Sequence, residues 1–316
     1  MNLLLENLTN PALLFFFLGI LAVSLKSDLE IPPTSSKFIS LYLLFSIGFK
    51  GGNELAHSPF DMEIVWGMVM GIMAALLVPF YTFFILKKRL GVPNAGAIAA
   101  AYGSVSAVTF VTAISYLEIR NLSFGGHMVA VMASMEAPSI IIGVLLMEWF
   151  GDSQIKISKR KIITHALTNG SVLLILGSLV IGFLASDKQA QGISPFTTDI
   201  FKGFLVIFLL DMGIISGKRL SSFWENGWFP FAFAIVVPFI NGCLMAFLST
   251  YVIDDIGNRF LLTILAASAS YIAVPAAMKL AAPEANPGLY IPMSLAITFP
   301  FNITLGFPVY FYLVHL

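Results

Sequence analysis

Three ionisable side chains lie inside apolar runs of this 316-residue sequence: Lys50, Glu136 and Asp211. A charge at mid-bilayer costs roughly 2.5–3.5 kcal/mol even on insertion scales, so such residues are candidates for ion binding or proton transfer. We interpret Glu136, which precedes Pro138 by two residues, as a cation ligand or a proton carrier. Lys50 and Asp211 have opposite charges, and they lie in apolar segments that occupy equivalent places in the two halves of the sequence. We expect them to face each other or a shared polar cavity, either for coupling or as a structural ion pair.

Two apolar stretches have the wrong residues for a plain membrane helix. AAYGSVSAVTF (100–110) and LAASASYIAVP (265–275) replace large aliphatic side chains with small residues and hydroxyls. Pro275 also removes a backbone donor. We expect both helices to break, near Gly103–Ser106 and Ser268–Pro275, and the two breaks to cross. The alternative is that the small residues only allow close helix packing.

Broken helices at this depth can bind ions. The N-termini of half-helices carry partial positive charge and free N–H groups, which attract an anion. Freed carbonyls and hydroxyls can hold a hard cation such as sodium. Weak segments at matching positions of two halves are the best pointer in a sequence to the binding site of a transporter. The two stretches therefore predict a transport site at their crossing.

The composition supports a membrane location and excludes several other classes. The chain is 58% hydrophobic and 11% charged, with a mean hydropathy of +0.90, whereas a soluble domain carries about 25% charged residues. Its formal net charge is zero, which argues against a nucleic-acid partner. The single Cys243 provides neither a disulfide nor a thiolate metal site. Catalytic motifs are absent, so we expect a non-enzyme without a cofactor, apart from sodium as a coupling ion.

The elements that must position these residues are ten transmembrane helices, which makes the fold class an all-α integral membrane protein. Shifting the sequence by 165 residues places IGFKGGNEL over MGIISGKRL and also superimposes the order of the spans. Each half of the sequence then contains five helices. Because five is odd, the second half must enter the membrane from the opposite side. We therefore expect two inverted five-helix repeats, residues 1–155 and 156–316, with helices 4 and 9 broken. The expected spans are 11–26, 38–56, 63–87, 94–117, 126–149, 163–186, 198–217, 229–253, 259–281 and 288–313.

Lys and Arg in the loops predict the orientation. Of the 17 basic residues, four lie on the side of the N-terminus, twelve lie on the other side and Lys50 lies inside a span. By the positive-inside rule we expect a multi-pass protein of the inner (plasma) membrane with both termini outside. The longest loop, GDSQIKISKRK, is then cytoplasmic.

The segments SIGFKGG, YGSVSAVTF, MEAPSIIIGVLL and AASASYIAVPAAMKLAAPEANPGLYIPMSLAITFP resemble the sodium-dependent bicarbonate permeases, the SbtA type of cyanobacteria. The resemblance covers nearly the whole chain. It implies two inverted repeats, a homotrimer in the lipid bilayer and sodium-coupled bicarbonate uptake. The cytosolic regulatory partner of cyanobacterial members is not transferred, because the central loop is much shorter here.

The resemblance also implies site residues, namely Gly103, Ser104, Ser106, Thr109, Ser268, Ser270 and Glu136. Tyr271 stands where the family pattern has an acid. The expected substrate-binding residues lie in the two weak stretches: Gly103, Ser104, Val105, Ser106, Ser268, Ala269 and Ser270. The expected cation-coupling residues are Thr109, Glu136, Asn302, Asp211 and Lys50, with Glu136 and Thr109 as sodium ligands and Asn302 as the counterpart of Glu136.

We therefore expect a secondary transporter of a small anion that is coupled to sodium or protons and works by alternating access. Bicarbonate is the first candidate for the anion. Another cation-coupled carrier, an organic-anion symporter or a sodium/proton exchanger, is the alternative. A membrane-embedded sensor or enzyme is a third hypothesis, which the lack of soluble domains and catalytic motifs disfavours.

Overall fold

The computed structural model describes residues 9–58, 60–151, 164, 168, 170–223 and 227–316, and this part of the chain is helical with no strand. The reason is physical, since a helix satisfies its own backbone hydrogen bonds where no water is available. The central loop, and with it Gln154 and the start of the sixth expected span, lies outside the described residues. Within the described residues, six helical segments are long and apolar enough to cross a membrane: Met62–Leu90, Val92–Ile119, His127–Phe150, Asp187–Leu220, Trp228–Ser249 and Pro287–Leu313.

The helices are numbered here in chain order. They are α1 (Pro11–Ser24), α2 (Pro33–His57), α3 (Met62–Leu90), α4 (Val92–Gly103), α5 (Ala107–Ile119), α6 (His127–Phe150), α7 (Gly170–Leu184), α8 (Asp187–Ser194), α9 (Phe201–Phe223), α10 (Trp228–Ser249), α11 (Ile256–Ala267), α12 (Ala273–Ala281) and α13 (Pro287–Leu313). A π-helical turn, Pro195–Asp199, joins α8 to α9.

The helices form two packed groups. In the first, called the four-helix bundle, α1 packs on α9 and α2 packs on α7. In the second, called the crossing bundle, α3 to α6 and α10 to α13 pack on one another. Glycines let helix backbones meet in the four-helix bundle: a methyl group on Gly52 would clash with the Leu179 carbonyl, and one on Gly213 with the Phe16 carbonyl. Small residues at such contacts are typical of membrane helices.

The prediction that two helices break is confirmed. The chain is non-helical over Ser104–Ser106, between α4 and α5, and over Ser268–Ile272, between α11 and α12. The sequence suggested that Pro275 lies in the second break. It lies instead in the first turn of α12. A proline there is tolerated because the first N–H groups of a helix have no intrahelical partner in any case.

The last helix, α13, is irregular. It contains two π-helical turns, Met293–Thr298 and Asn302–Gly306. Pro292, Pro300 and Pro308 interrupt its run of backbone donors, which is the ordinary cause of such local rearrangement in membrane helices. The first of these turns packs on both α9 and α10, and Asn302 in the second is fully buried.

Candidate functional site

The two breaks touch each other through backbone hydrogen bonds. The Ser106 N–H donates to the Ser268 hydroxyl at 3.0 Å, and the Ser270 N–H donates to the Ala101 carbonyl at 2.8 Å. Extended backbone at membrane depth is stable only if it is buried in protein or lines a cavity. Here each broken helix supplies hydrogen-bond partners for backbone groups of the other. These contacts stabilise both non-helical segments.

Local sequence explains why the chain leaves the helix at these points. Ser104 and Ser268 follow α4 and α11 with extended backbone, at ψ −173 and 170 respectively. Ser106 then begins α5, because its hydroxyl accepts from the Thr109 N–H at 3.1 Å in an N-cap contact. Gly103 is needed at the end of α4, since a methyl group there would clash with the ring of Pro79 on α3.

A small cavity of about 20 Å³ lies beside the crossing. Its lining includes Ala107 and Ala273, the first residues of α5 and α12, so the positive ends of two half-helices meet there. The other lining residues are Leu44, Val105, Ser106, Glu136, Ser171, Ser270, Tyr271 and Ile272. This volume holds an ion or a water molecule.

Two polar atoms of this small cavity have no hydrogen-bond partner within the described part of the chain. They are Oε2 of Glu136 and the hydroxyl oxygen of Tyr271, and each residue is only 8% exposed. Buried polar groups in native proteins are almost always paired, so each exception calls for an explanation. A bound ion or solute that enters and leaves the cavity would explain both.

A wide cavity of about 480 Å³ adjoins the small one, and Ser171, Tyr271 and Ile272 line both. It lies between α2, α9, α13 and the second break. Its exposed rim carries three charged residues: Glu30 just before α2, Lys37 near the start of α2 and Lys218 near the end of α9. The wide cavity therefore leads from the surface at this end of the bundles to the crossing.

Comparison with family models matches residues 11–315 to the Na+-dependent bicarbonate transporter superfamily. The chain belongs to this superfamily. No curated protein matches the sequence. Membership makes the chain a multi-pass membrane transporter and not an enzyme, and it implies no cofactor. Within the described residues, no group of three or more His, Cys, Asp or Glu side chains is arranged to hold a metal ion.

The structure of this superfamily member brings only part of the expected site together. Val105, Ser106, Ser270 and Glu136 line the small cavity. Gly103, Ser104, Ser268 and Ala269 are buried in the crossing itself, next to the cavity but outside its lining. The site therefore has two layers, a set of residues that shape the crossing and a set that faces the space inside it.

Two expected coupling residues have structural contacts in the transporter. The backbone N–H of Thr109 donates to Ser106, and the side chain is outside the cavity lining. The Asn302 amide donates to the Ala267 carbonyl at 2.7 Å, the last residue of α11, and its oxygen accepts from Tyr310 at 3.3 Å. Asn302 thus satisfies a carbonyl that the second break would otherwise leave free.

The prediction that Lys50 and Asp211 face each other or a shared polar cavity is wrong, since Asp211 and Lys50 line different cavities. Lys50 Nζ lies 2.8 Å from Glu118 Oε1, and Lys202 Nζ lies 3.5 Å from Glu118 Oε2. Asp211 accepts a hydrogen bond from Ser36 and lines the wide cavity. The matching of spans in two repeats fixes which helices correspond, but not which faces of those helices meet.

Sequence reasoning missed the Lys50–Glu118–Lys202 cluster and the wide cavity. The cluster joins the end of α5 in the crossing bundle to α2 and α9 of the four-helix bundle. It lies at the opposite end of α2 and α9 from the rim of the wide cavity. The only sequence signal was a glutamate at the end of span four, which is also the usual place for a solvated charge.

Proposed function

We propose that this transporter takes up bicarbonate, coupled to sodium, by alternating access. The observation that carries the proposal is the crossing of two broken helices beside a cavity with an unpartnered buried carboxyl group, Glu136. Membership in a superfamily described as Na+-dependent bicarbonate transporters supplies the substrate and the ion. A crossing that served packing alone would have no reason to keep Glu136 in an apolar interior without a partner.

The architecture that we propose is ten spans in two inverted repeats, residues 1–155 and 156–316. Three features support it. The helices before the two breaks, α4 and α11, both have 12 residues. Asn94 and Asn258, the third residues of these helices, each accept from a loop N–H of the other half, at Asn286 and Gly125 respectively. The packing of α1 on α9 matches that of α7 on α2.

The anion is held, in this proposal, by the N-terminal ends of α5 and α12 and by hydroxyls of the crossing, with Ser104, Ser106, Ser268 and Ser270 as the binding serines. The helix ends contribute partial positive charge without the cost of burying a full charge. The small cavity is too small for a bicarbonate ion beside a cation. Binding therefore requires the space to widen, and the adjoining wide cavity is the route by which the anion leaves or enters.

Glu136 is the coupling residue in this proposal. A carboxylate in an apolar interior is stable only if it is neutralised, either by a cation or by a proton. An anion at the helix ends would be repelled by an ionised Glu136, so cation and anion stabilise each other when both are bound. This mutual stabilisation is the physical basis of symport. Thr109 and Asn302 then act indirectly through the shape of the crossing, Lys50 acts through the contact between the bundles, and Asp211 acts through the wide cavity that it lines.

Alternating access is supported by the difference between the two ends of the bundles. At one end the wide cavity reaches Tyr271, and at the other end Glu118 is bonded to Lys50 and Lys202 of the four-helix bundle. We propose that the wide cavity faces the cytoplasm, with both termini outside, because the positive-inside rule places its rim there. The transporter then works as a homotrimer in the inner (plasma) membrane.

The test is uptake of labelled bicarbonate into proteoliposomes with the sodium gradient and the pH gradient varied separately. We expect uptake to require inward sodium, and Glu136→Gln to abolish that dependence. Glu148→Gln, an exposed carboxyl of the same helix, is the matched control and should keep it. Uptake driven only by protons would assign the proton as the coupling ion. Organic-anion uptake, or sodium–proton exchange without bicarbonate, would replace the proposed substrate.

Orientation is tested by a cysteine at Gln154 after Cys243 is removed. We expect an impermeant thiol reagent to label this cysteine only after the cells are permeabilised. Labelling from outside intact cells would reverse the topology.

A further inference from the structure

Tyr271 separates the two cavities. It lies in the second break, between α11 and α12, and its side chain lines both the small cavity and the wide one. The neighbouring residue Ile272 also lines both and is 40% exposed, while Tyr271 is 8% exposed. A solute that moves from the wide cavity to the crossing therefore passes Tyr271, Ile272 and Ser171, the three residues that line both cavities.

The Tyr271 hydroxyl has no hydrogen-bond partner within the described part of the chain. A phenol is a good donor and is normally paired when it is buried. Of the residues that share its small cavity, Ser106 lies close enough to interact with the hydroxyl, but no hydrogen bond of normal geometry uses the donor. Its proton is therefore available to a guest with an oxygen acceptor.

The backbone holds Tyr271 in this place. The preceding residue, Ser270, donates its N–H to Ala101 of the first broken helix at 2.8 Å, and its hydroxyl accepts from Val274 at 3.3 Å. The ring of Tyr271 packs edge-on against Phe299, with ring centres 6.2 Å apart. A donor fixed in this way loses little freedom when it binds a guest.

We infer that Tyr271 is a specificity-determining residue, whose hydroxyl donates to the anion and whose ring limits the size of anion that reaches the crossing. This inference rests on the proposed function and names a second contact of the same site. The contrast between about 480 Å³ on one side of the ring and about 20 Å³ on the other supports the size limit. The anion selected is a small oxyanion, and larger carboxylates stop in the wide cavity.

Two substitutions separate the hydroxyl from the ring. Tyr271→Phe keeps the ring and removes the donor. We expect the KM for bicarbonate to rise about tenfold with little change in the maximal rate, since a hydrogen bond to a charged group has about that effect on affinity. Tyr271→Ala removes the ring, and we expect pyruvate, which should not compete with bicarbonate in the unmodified protein, to become a competitor.

Labelled bicarbonate uptake by proteoliposomes gives the readout, with nitrate and pyruvate as competing anions. Tyr42→Phe is the control, because Tyr42 is a buried tyrosine of the four-helix bundle whose hydroxyl donates to the Phe196 carbonyl. It should keep the KM and the order of competition. Size-exclusion profiles in detergent check that each variant is folded, and Tyr271→Phe remains informative if the alanine variant is not.

An unchanged KM in Tyr271→Phe, together with unchanged exclusion of pyruvate in a folded Tyr271→Ala, would overturn the inference. Absence of bicarbonate uptake by the unmodified protein would instead overturn the proposed function, so the two failures are distinguishable.

Discussion

Ser104 and Ser268 each follow a 12-residue helix with extended backbone, but the chain continues differently after the two serines. The first break has ended by Ala107, after three residues, whereas the second extends over five, Ser268–Ile272. The two additional residues are Tyr271 and Ile272, which line both cavities. The shorter break therefore lines only the small cavity, while the longer one also lines the wide cavity.

The two serines also have different contacts. The Ser268 hydroxyl accepts from the Ser106 N–H and donates to the Leu265 carbonyl, both at 3.0 Å. The Ser104 hydroxyl is buried without a partner in the described residues. One serine thus joins the two breaks, while the hydroxyl of the corresponding serine makes no contact of this kind. Equivalent positions in a repeat can carry unequal roles when only one of them faces the other half.

The largest expected effect comes from filling the crossing. Leucine at position 104 or 268 adds a branched side chain where the exposure is 0% or 1%. Overpacking of a buried site costs about 1–3 kcal/mol. We expect Ser104→Leu and Ser268→Leu to abolish bicarbonate uptake in proteoliposomes while folded protein is still recovered from the membrane. Ser24→Leu, at the exposed end of α1, should transport normally. Normal uptake by a folded Ser268→Leu would show that the crossing is not the site.

The sequence was sufficient to predict the breaks but not their alignment. Small residues and serines in an apolar run weaken a helix wherever it packs, so both breaks could be located. The shift of 165 residues places Ser104 over Ala269, whereas the helix ends match Ser104 with Ser268, a shift of 164. Such an alignment rests on only a few identical residues. The two additional residues of the second break also change the shift within a single segment.

Side-chain partners were harder to predict than elements. A buried charge requires compensation, which is why Lys50 and Asp211 were expected to pair. The structure compensates Lys50 with Glu118 and gives Asp211 a hydroxyl donor, Ser36. Both arrangements satisfy the same physical requirement, and only the rotation of each helix about its axis decides between them. That rotation depends on packing across the whole bundle, which the local sequence does not contain.

A smaller effect is expected from the side chain that supports the second break. Asn302→Ala leaves the Ala267 carbonyl without its donor, and an unsatisfied buried polar group costs about 1–3 kcal/mol. We expect a lower Tm in detergent and a lower uptake rate, because the end of α11 loses its fixed position. Asn241→Ala is the control, since it removes the acceptor of a hydrogen bond from Tyr81 and leaves the Ala267 carbonyl paired with Asn302. It should lower the Tm alone. Equal uptake by both variants would contradict the bracing role of Asn302.

The smallest effect distinguishes the two serines. Ser268→Ala leaves the buried Ser106 N–H without an acceptor, and we expect a loss of about 1 kcal/mol in the free energy of unfolding. Ser104→Ala removes a hydroxyl that has no partner within the described residues. The stability should therefore stay the same or rise slightly, since burying an unpaired hydroxyl is itself unfavourable.

Transport should show the opposite order, if the free hydroxyl of Ser104 is kept for the anion. Ser104→Ala should raise the KM for bicarbonate severalfold at unchanged Tm, because a donor to a charged ligand is lost while no internal contact is broken. Thermal unfolding in detergent and labelled uptake, measured on the same preparations, provide the two readouts. A Ser104→Ala variant with unchanged KM and higher stability would mean that this hydroxyl faces no ligand, and the anion site would then be confined to the longer break.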